Sequence, residues 1–107
     1  MGKVLLGLVT HIESAHSVGS GPLHGHTFRI EVTVEGEYEK GIDFHVFERE
    51  VNKIVKELDH KNLNEILNPP VIENIARYIA EKLKGKYKVR EVKVWEGKGK
   101  FCILIVE

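Results

Sequence analysis

Three histidines near the start of the chain have the types and spacing of a metal site. His24 and His26 are separated by a single glycine, and His16 lies upstream of both. Residues two apart in a β-strand project from the same face, so His24 and His26 would point together. Three neutral imidazoles can bind zinc and leave one coordination position for water or substrate. An open position of this kind is typical of a catalytic zinc site.

The spacing alone leaves a second interpretation open. A single histidine is more often a surface or core residue than a ligand, and we interpret His11 and His45 in that way. The only cysteine, Cys102, lies in an apolar stretch far along the chain. No thiolate is therefore near enough in sequence to close a structural zinc site. If a metal binds here, the pattern favours a catalytic site over a structural one.

Two strands must position these histidines. Residues 3–15 are mostly apolar with few breakers, which predicts a first strand that leads to His16. From His24 onward apolar and polar residues alternate strictly, which predicts a second, half-buried strand. The loop between them is rich in glycine and contains Ser20. An antiparallel pairing of the two strands would bring His16 beside His24 and His26.

The period of the apolar residues changes after Asp43, a predicted helix N-cap. Two helices are predicted, and the pair Pro69-Pro70 separates them because proline interrupts a helix. Their apolar faces contain Phe47, Val51, Ile54, Val55 and Leu58 in the first helix, and Ile72, Ile75, Ala76, Ile79, Ala80 and Leu83 in the second. Strands at 89–96 and 101–106 complete a ββααββ order. This order predicts an α+β fold with two helices on one face of an antiparallel sheet.

The last predicted strand, residues 101–106, is apolar on both faces. One face can pack against the helices, but a chain of 107 residues has little left to cover the other. We therefore predict a homo-oligomer that buries the second face. Local burial under loops is the alternative that the sequence leaves open.

Charge and composition argue against several classes of partner. Sixteen basic residues are matched by sixteen acidic residues, so no overall field attracts the chain to nucleic acid or to a membrane surface. The apolar stretches are too short to span a bilayer. A single cysteine rules out an internal disulfide framework. The length predicts one domain over residues 1–107, and we expect a cytoplasmic protein.

Several segments, spread over nearly the whole chain, carry a family resemblance. They are 13–16 (ESAH) with 23–28 (LHGHTF), 41–44 (GIDF), 58–64 (LDHKNLN), 70–76 (PVIENIA) and 92–96 (VKVWE). In this order they resemble the motifs of the 6-pyruvoyl-tetrahydropterin synthase family. That family includes the bacterial 6-carboxy-tetrahydropterin synthases of queuosine biosynthesis.

The resemblance implies an assembly, a metal and a substrate. The implied fold is a tunnelling fold, in which subunits form a β-barrel trimer or a stacked hexamer with active sites at the subunit interfaces. Zinc would be bound by His16, His24 and His26, and a pterin would be anchored by Glu96. The implied reaction eliminates triphosphate from 7,8-dihydroneopterin triphosphate, or acts on a related dihydropterin.

Charged residues elsewhere also gain roles from the resemblance. Asp59 and His60 match the family's proton-relay pair, in which the aspartate orients an imidazole that titrates near neutral pH. The alternative for this pair is a salt bridge at a helix end, and for Glu96 a solvated charge at a strand end. Lys98 and Lys100 could contact the triphosphate, but we interpret them as solvated residues of a hairpin turn.

The sequence departs from the family at Ser20, which stands where the usual proton-accepting cysteine lies. A serine hydroxyl is a weaker base and nucleophile than a thiolate. Three functions follow: a zinc lyase that cleaves the side chain of dihydroneopterin or its triphosphate with His60 as the main base; the usual synthase reaction, with Ser20 or zinc-bound hydroxide in place of the thiol; and a non-catalytic pterin-binding protein. We expect an enzyme, because a binding pocket alone does not need a proton relay.

Overall fold

The computed structural model describes residues 2–37 and 40–107. Its elements are β1 (Lys3–His16), β2 (His24–Glu37), α1 (Phe44–Val55), α2 (Ile72–Leu83), β3 (Lys88–Glu96) and β4 (Lys100–Ile105). A short 3₁₀ helix at Leu63–Glu65 lies between the two α-helices. The predicted α+β fold and its ββααββ order are confirmed.

The four strands form one antiparallel sheet in the order β1-β2-β3-β4. β1 and β2 pair along their whole length, from Lys3 opposite Glu37 to His16 opposite His24. Side chains alternate across this hairpin, and one face packs against the helices. The fully buried residues on that face include Ile12, Phe28, Ile30 and Val32. The register of the hairpin therefore places the three histidines at the end of the core-facing side.

The two helices cover this core with the apolar faces that the sequence predicts. α1 begins after Asp43, whose carboxylate accepts hydrogen bonds from the backbone N–H groups of His45 and Val46. This is the N-cap arrangement that satisfies free amides at a helix start. The buried residues are Phe47, Val51, Ile54 and Val55 in α1, and Ile75, Ala76, Ile79, Ala80 and Leu83 in α2.

One boundary differs from the prediction. α1 ends at Val55, so the prediction that Leu58 lies on this helix is wrong. Leu58 is still fully buried, but it sits in the turn that follows, and its carbonyl accepts a hydrogen bond from the hydroxyl of Ser14 on β1. After Val55 the chain turns towards the edge of β1, where the backbone N–H of His60 donates to the Glu13 carbonyl.

The opposite face of the sheet is open and partly apolar. Leu5 and Val9 on β1 are 63% and 54% exposed, and Ile103 and Ile105 on β4 are 43% and 68% exposed. β1 and β4 are also the two edge strands of the sheet. On β4, Cys102 and Leu104 pack against the core, so this strand is apolar on both faces as predicted. Among the described residues, no helix is long and apolar enough to cross a membrane.

Candidate metal centre and active site

The three histidines meet where the β1–β2 hairpin opens into its connecting loop. His16 is the last residue of β1 and lies opposite His24, the first residue of β2. The ring centroids are 4.8 Å apart for His16 and His24, 5.3 Å for His16 and His26, and 4.6 Å for His24 and His26. The structure thus brings together all three residues that the sequence predicts as metal ligands.

Glu96, the last residue of β3, adds a carboxylate to this group. It pairs with Phe28 of β2, which puts it beside His26 on the same face. Its Oε1 atom is 3.0 Å from His16 Nε2 and 3.3 Å from His26 Nε2. One possible ligand atom from each of the four residues lies within 4.8 Å of all the others. The sequence did not place Glu96 against the histidines, because it does not fix the register between β2 and β3.

Hydrogen bonds to backbone carbonyls determine where two of the rings carry their protons. His16 Nδ1 is 2.7 Å from the carbonyl oxygen of Pro70, and His24 Nδ1 is 2.9 Å from that of Pro22. A carbonyl oxygen only accepts, so each Nδ1 is the protonated nitrogen. The Nε2 atom of neutral His16 is then an acceptor, buried and without a hydrogen-bond partner among the described residues. Its short distance to the Glu96 carboxylate sets two acceptors against each other, which is unfavourable unless a proton or a metal ion lies between them.

The surroundings of the third ring, that of His26, also favour the neutral form, which is the form that binds metals. Burial lowers the pKa of His26 below its usual value, and the neighbouring rings of His24 and His16 lower it further, against the opposing effect of Glu96. Metal binding requires a deprotonated ring nitrogen. A second ring nitrogen bonded to a carbonyl is the usual support of a metal-ligating histidine. Three imidazoles and a carboxylate are therefore a donor set that fits zinc or a similar divalent ion.

A cavity of about 700 Å³ opens beside this cluster. Val18, Ile72 and Phe101 give it apolar walls, and Glu73 and Lys100 add charges. This volume is in the range of small-molecule sites, which also combine apolar walls with a few polar groups. Lys100, interpreted from the sequence as a solvated turn residue, is exposed but borders the cavity. Ser20 is exposed in a turn of the loop and is not among the residues that line it.

The predicted relay pair is anchored to the free edge of β1. Asp59 Oδ1 accepts the backbone N–H of Glu13 at 2.8 Å, and Asp59 Oδ2 is 3.4 Å from His60 Nε2. The backbone N–H of His60 donates to the Glu13 carbonyl at 2.8 Å. His60 has a φ of 54°, a left-handed conformation that is costly for a non-glycine residue and often found at functional sites. Its side chain is 77% exposed, so it can reach a neighbouring molecule.

Within one chain, His60 and three of the four cluster residues border different cavities. His60 borders a cavity of about 630 Å³ together with Glu13 and Thr27, whereas it does not line the one beside His16 and Glu96. His26 borders both. The sequence predicted the pair but not this separation, because nothing in it sets where the turn after α1 lies.

The two remaining histidines of the predicted set stand apart from the cluster. His11 and His45 border a larger cavity of about 850 Å³ between β1 and α1. Among the described residues, only the cluster of His16, His24, His26 and Glu96 has the geometry of a metal site. His11 and His45 are not among these four residues.

Comparison with known proteins identifies the family. Residues 9–105 match the sequence model of 6-pyruvoyl tetrahydropterin synthase. The chain belongs to the 6-pyruvoyl tetrahydropterin synthase family. It is 48% identical to the dihydroneopterin monophosphate aldolase of Pyrococcus furiosus over 70% of this chain and 71% of that protein. It is 35% identical, over 94% of each chain, to a protein of Archaeoglobus fulgidus whose name proposes a 6-carboxy-5,6,7,8-tetrahydropterin synthase.

Solved structures of the same family share the fold. The 6-pyruvoyl tetrahydropterin synthase of Caenorhabditis elegans is similar with a TM-score of 0.86 at 20% identity, over 100% of this chain and 98% of that one. The Plasmodium vivax enzyme is similar with a TM-score of 0.71 at 19% identity, over 97% and 98% of the two chains. At these identities the likeness establishes the tunnelling fold alone.

Proposed function

We propose that the chain, as a single domain of residues 1–107, is a cytoplasmic zinc-dependent lyase that cleaves the side chain of 7,8-dihydroneopterin or one of its phosphates. The observation that carries the proposal is the buried Nε2 of His16, an acceptor that faces the Glu96 carboxylate at 3.0 Å. Such a contact is favourable when a metal ion or a proton lies between the two atoms, and the two further imidazoles beside it favour a metal ion. Because the chain belongs to a pterin-synthase family, we expect the ligand of the adjacent cavity to be a pterin.

Three observations favour side-chain cleavage over elimination of triphosphate. The Pyrococcus furiosus relative, 48% identical, is named an aldolase of dihydroneopterin monophosphate. The charged residues that border the cavity are one lysine, Lys100, and two carboxylates, Glu73 and Glu96. This balance suits a substrate with one phosphate, or none, better than one with three. Ser20, in place of the family's usual cysteine, points the same way because the thiol that the synthase reaction uses is missing.

The metal would be held by His16, His24 and His26, with the carbonyls of Pro70 and Pro22 fixing two of the rings. When bound, zinc supplies a Lewis acid that polarises the side-chain oxygens of the substrate and holds them in place. Glu96, the proposed pterin anchor, would accept hydrogen bonds from the amino and ring N–H groups of the substrate.

His60 is the proposed base, oriented by Asp59. It takes the proton of the 2′ hydroxyl, the C1′–C2′ bond breaks, and the bonding electron pair moves towards the C6=N5 double bond of the pterin. His60 then returns the proton to C1′. The products are 6-hydroxymethyl-7,8-dihydropterin and glycolaldehyde, or glycolaldehyde phosphate if the substrate carries one phosphate. His60 takes up one proton and gives one back, so the reaction needs no oxidant or reductant.

A second copy of the chain would complete the site. His60 does not border the cavity beside His16, His24 and Glu96, and its side chain is exposed. Both edge strands carry exposed apolar side chains, among them Val9 on β1 and Ile105 on β4. Pairing β4 of one copy with the part of β1 in the next that residues 58–64 leave open would bury these side chains and close the sheet into a barrel, as a trimer or a stacked pair of trimers.

Product analysis tests the proposed reaction. The purified protein is incubated with dihydroneopterin, its monophosphate and its triphosphate, with added zinc or with a chelator, and products are identified by mass spectrometry. We expect zinc-dependent 6-hydroxymethyl-dihydropterin. A pyruvoyl product would instead support the usual synthase reaction, which the name of the Archaeoglobus fulgidus relative also allows. Tight pterin binding without any product would support the non-catalytic alternative.

Mixed oligomers test the shared site. His24→Ala removes a proposed ligand and His60→Ala removes the proposed base, so each variant should be inactive alone. Mixing the two and allowing subunits to exchange should restore part of the activity, because some sites then combine an intact cluster with an intact His60. Sedimentation should show a trimer or hexamer. Oligomers that exchange subunits but stay inactive would contradict a site built from two copies.

A further inference from the structure

Asn64 links the strand end that carries His16 to the segment that carries the relay pair. Its Oδ1 accepts the backbone N–H of Ser17 at 2.8 Å, and its Nδ2 donates to the carbonyl of Ser17 at 3.0 Å. Ser17 directly follows His16. Two opposed hydrogen bonds from one planar amide fix both the position and the orientation of the backbone they contact. A single bond would leave that backbone free to rotate.

These two hydrogen bonds are the last of a series along the outer edge of β1, which we call the seam. Residues 58–64 run beside residues 13–17, and their other contacts include the Ser14 hydroxyl with the Leu58 carbonyl, and the Ala15 N–H with the Lys61 carbonyl at 2.9 Å. The seam begins near the relay pair and ends at Asn64. The seam therefore holds the end of β1, which carries His16, against residues 58–64 of the same chain.

Asn64 is itself held in place, yet it contributes little to the core. Its backbone N–H donates to Asn62 Oδ1 at 3.1 Å, the cap of the short 3₁₀ helix. Its side chain is exposed, so removing it leaves no cavity. The first two residues after β1, Ser17 and Val18, start the loop that returns to His24. A shift of the Ser17 backbone would therefore move the end of β1 at His16 and the start of the loop that leads to His24.

We propose that Asn64 is a positioning residue of the metal centre: by clamping both backbone groups of Ser17, it fixes the end of β1 from which the His16 side chain reaches the cluster and the Pro70 carbonyl. The inference rests on the proposed metal site and goes beyond it, since Asn64 contacts neither metal nor substrate. Because its side chain is exposed, its loss should affect metal binding and fold stability to different extents. Loss of the clamp should change the metal site far more than it changes the stability of the fold.

The test compares Asn64→Ala and Asn64→Asp with the wild type, and uses Asn52→Ala as a control at an exposed asparagine on α1. Zinc affinity is measured by competition with a chelating dye, the ligand field by the visible absorption of the Co²⁺-loaded protein, and stability by thermal unfolding of the metal-free protein. For Asn64→Ala we expect zinc affinity about 10–100-fold weaker, as for other residues that support metal ligands, and an altered Co²⁺ spectrum. Asn64→Asp keeps the acceptor for the Ser17 N–H and should be intermediate.

The outcomes separate this inference from the proposed function. If the wild type binds zinc and Asn64→Ala binds it equally well with the same Co²⁺ spectrum, the positioning role is overturned while the metal site stands. If weaker zinc binding is matched by an equally large loss of stability in the metal-free protein, Asn64 has only a structural role. If the wild type does not bind zinc, both the proposed metal site and this role fall. Asn52→Ala should match the wild type in every measurement.

Discussion

The middle and the end of the same sheet face are built for different purposes. In the middle, Phe28, Ile30 and Val32 are fully buried against the helices. Towards the end, the same alternation places His26 and Glu96 on this face, next to His16. The strand geometry is continuous between the two regions. Only the chemistry of the side chains changes, from groups that avoid water to groups that offer lone pairs.

The difference separates the region that stabilises the fold from the region to which we assign the proposed function. Burying apolar side chains in the middle is favourable by itself. At the end, an unpaired buried polar atom such as His16 Nε2 costs about 1–3 kcal/mol. A region that costs stability and still has two rings supported by carbonyls is expected to bind something that offsets the cost. A metal ion would do so, because its binding free energy adds to the free energy of folding.

His60→Ala should give the largest effect and sharpens the comparison at the polar end. If the cluster holds the metal and His60 moves the proton, turnover should fall about 10²–10⁴-fold, the usual contribution of a general base. Zinc affinity should stay at the wild-type level because His60 is outside the cluster. Steady-state kinetics and a zinc titration measure the two quantities. Unchanged turnover would remove His60 from the mechanism.

Ile30→Ala and His26→Ala compare the two regions directly. Ile30 is fully buried, so its truncation should lower the free energy of unfolding by about 2–5 kcal/mol, with or without zinc. His26→Ala should change the metal-free protein much less, and should instead abolish the stabilisation that zinc gives to the wild type. Urea unfolding with zinc or with a chelator measures both. Equal responses of the two variants to zinc would contradict the division of roles.

Ser14→Ala tests the boundary between the regions. The buried Ser14 hydroxyl donates to the Leu58 carbonyl and accepts the Lys61 N–H at 3.2 Å. Its removal leaves two backbone groups unpaired, so we expect a loss of about 1–3 kcal/mol in the free energy of unfolding. Thr27→Val is a matched control, because its hydroxyl bonds to Glu13 at an exposed position and should matter by less than about 0.5 kcal/mol. Equal losses in the two variants would argue against the seam as a buried link.

Tyr78→Phe gives the smallest effect and lies away from both regions. A hydrogen bond from the Tyr78 hydroxyl to the Glu57 carboxylate, together with burial, raises the pKa of Tyr78 from its usual 10.0 to about 12. The protonated tyrosine is therefore favoured in the folded protein, and its stabilisation is full below pH 10 and lost as the pH rises towards 12. The stability difference between wild type and Tyr78→Phe should be constant below pH 10 and shrink above it. A difference that does not change with pH would contradict the bond.

The sequence was sufficient for local patterns and insufficient for relations between distant segments. The alternation of apolar residues and their helical period predicted the order of the elements. The motif around His24 predicted which histidines would meet, because β1 and β2 are consecutive strands that pair with each other. The contact of Glu96 with the cluster depends on the register between β2 and β3, two strands that both helices separate in the sequence. The clamp of Asn64 on Ser17 depends on where the chain turns after Val55. Both are set by tertiary packing, which no local pattern encodes.

Zinc titration of the wild type and His24→Ala tests the central claim most directly. His24 is an exposed member of the cluster, so its removal should spare the fold, while His11→Ala serves as a control at an exposed histidine outside the cluster. We predict one tightly bound zinc per chain for the wild type and for His11→Ala. For His24→Ala, losing a ligand should weaken binding by more than the roughly 10–100-fold effect of losing a supporting residue. A wild type that binds no zinc, or a His24→Ala variant that binds it equally tightly, would contradict the account.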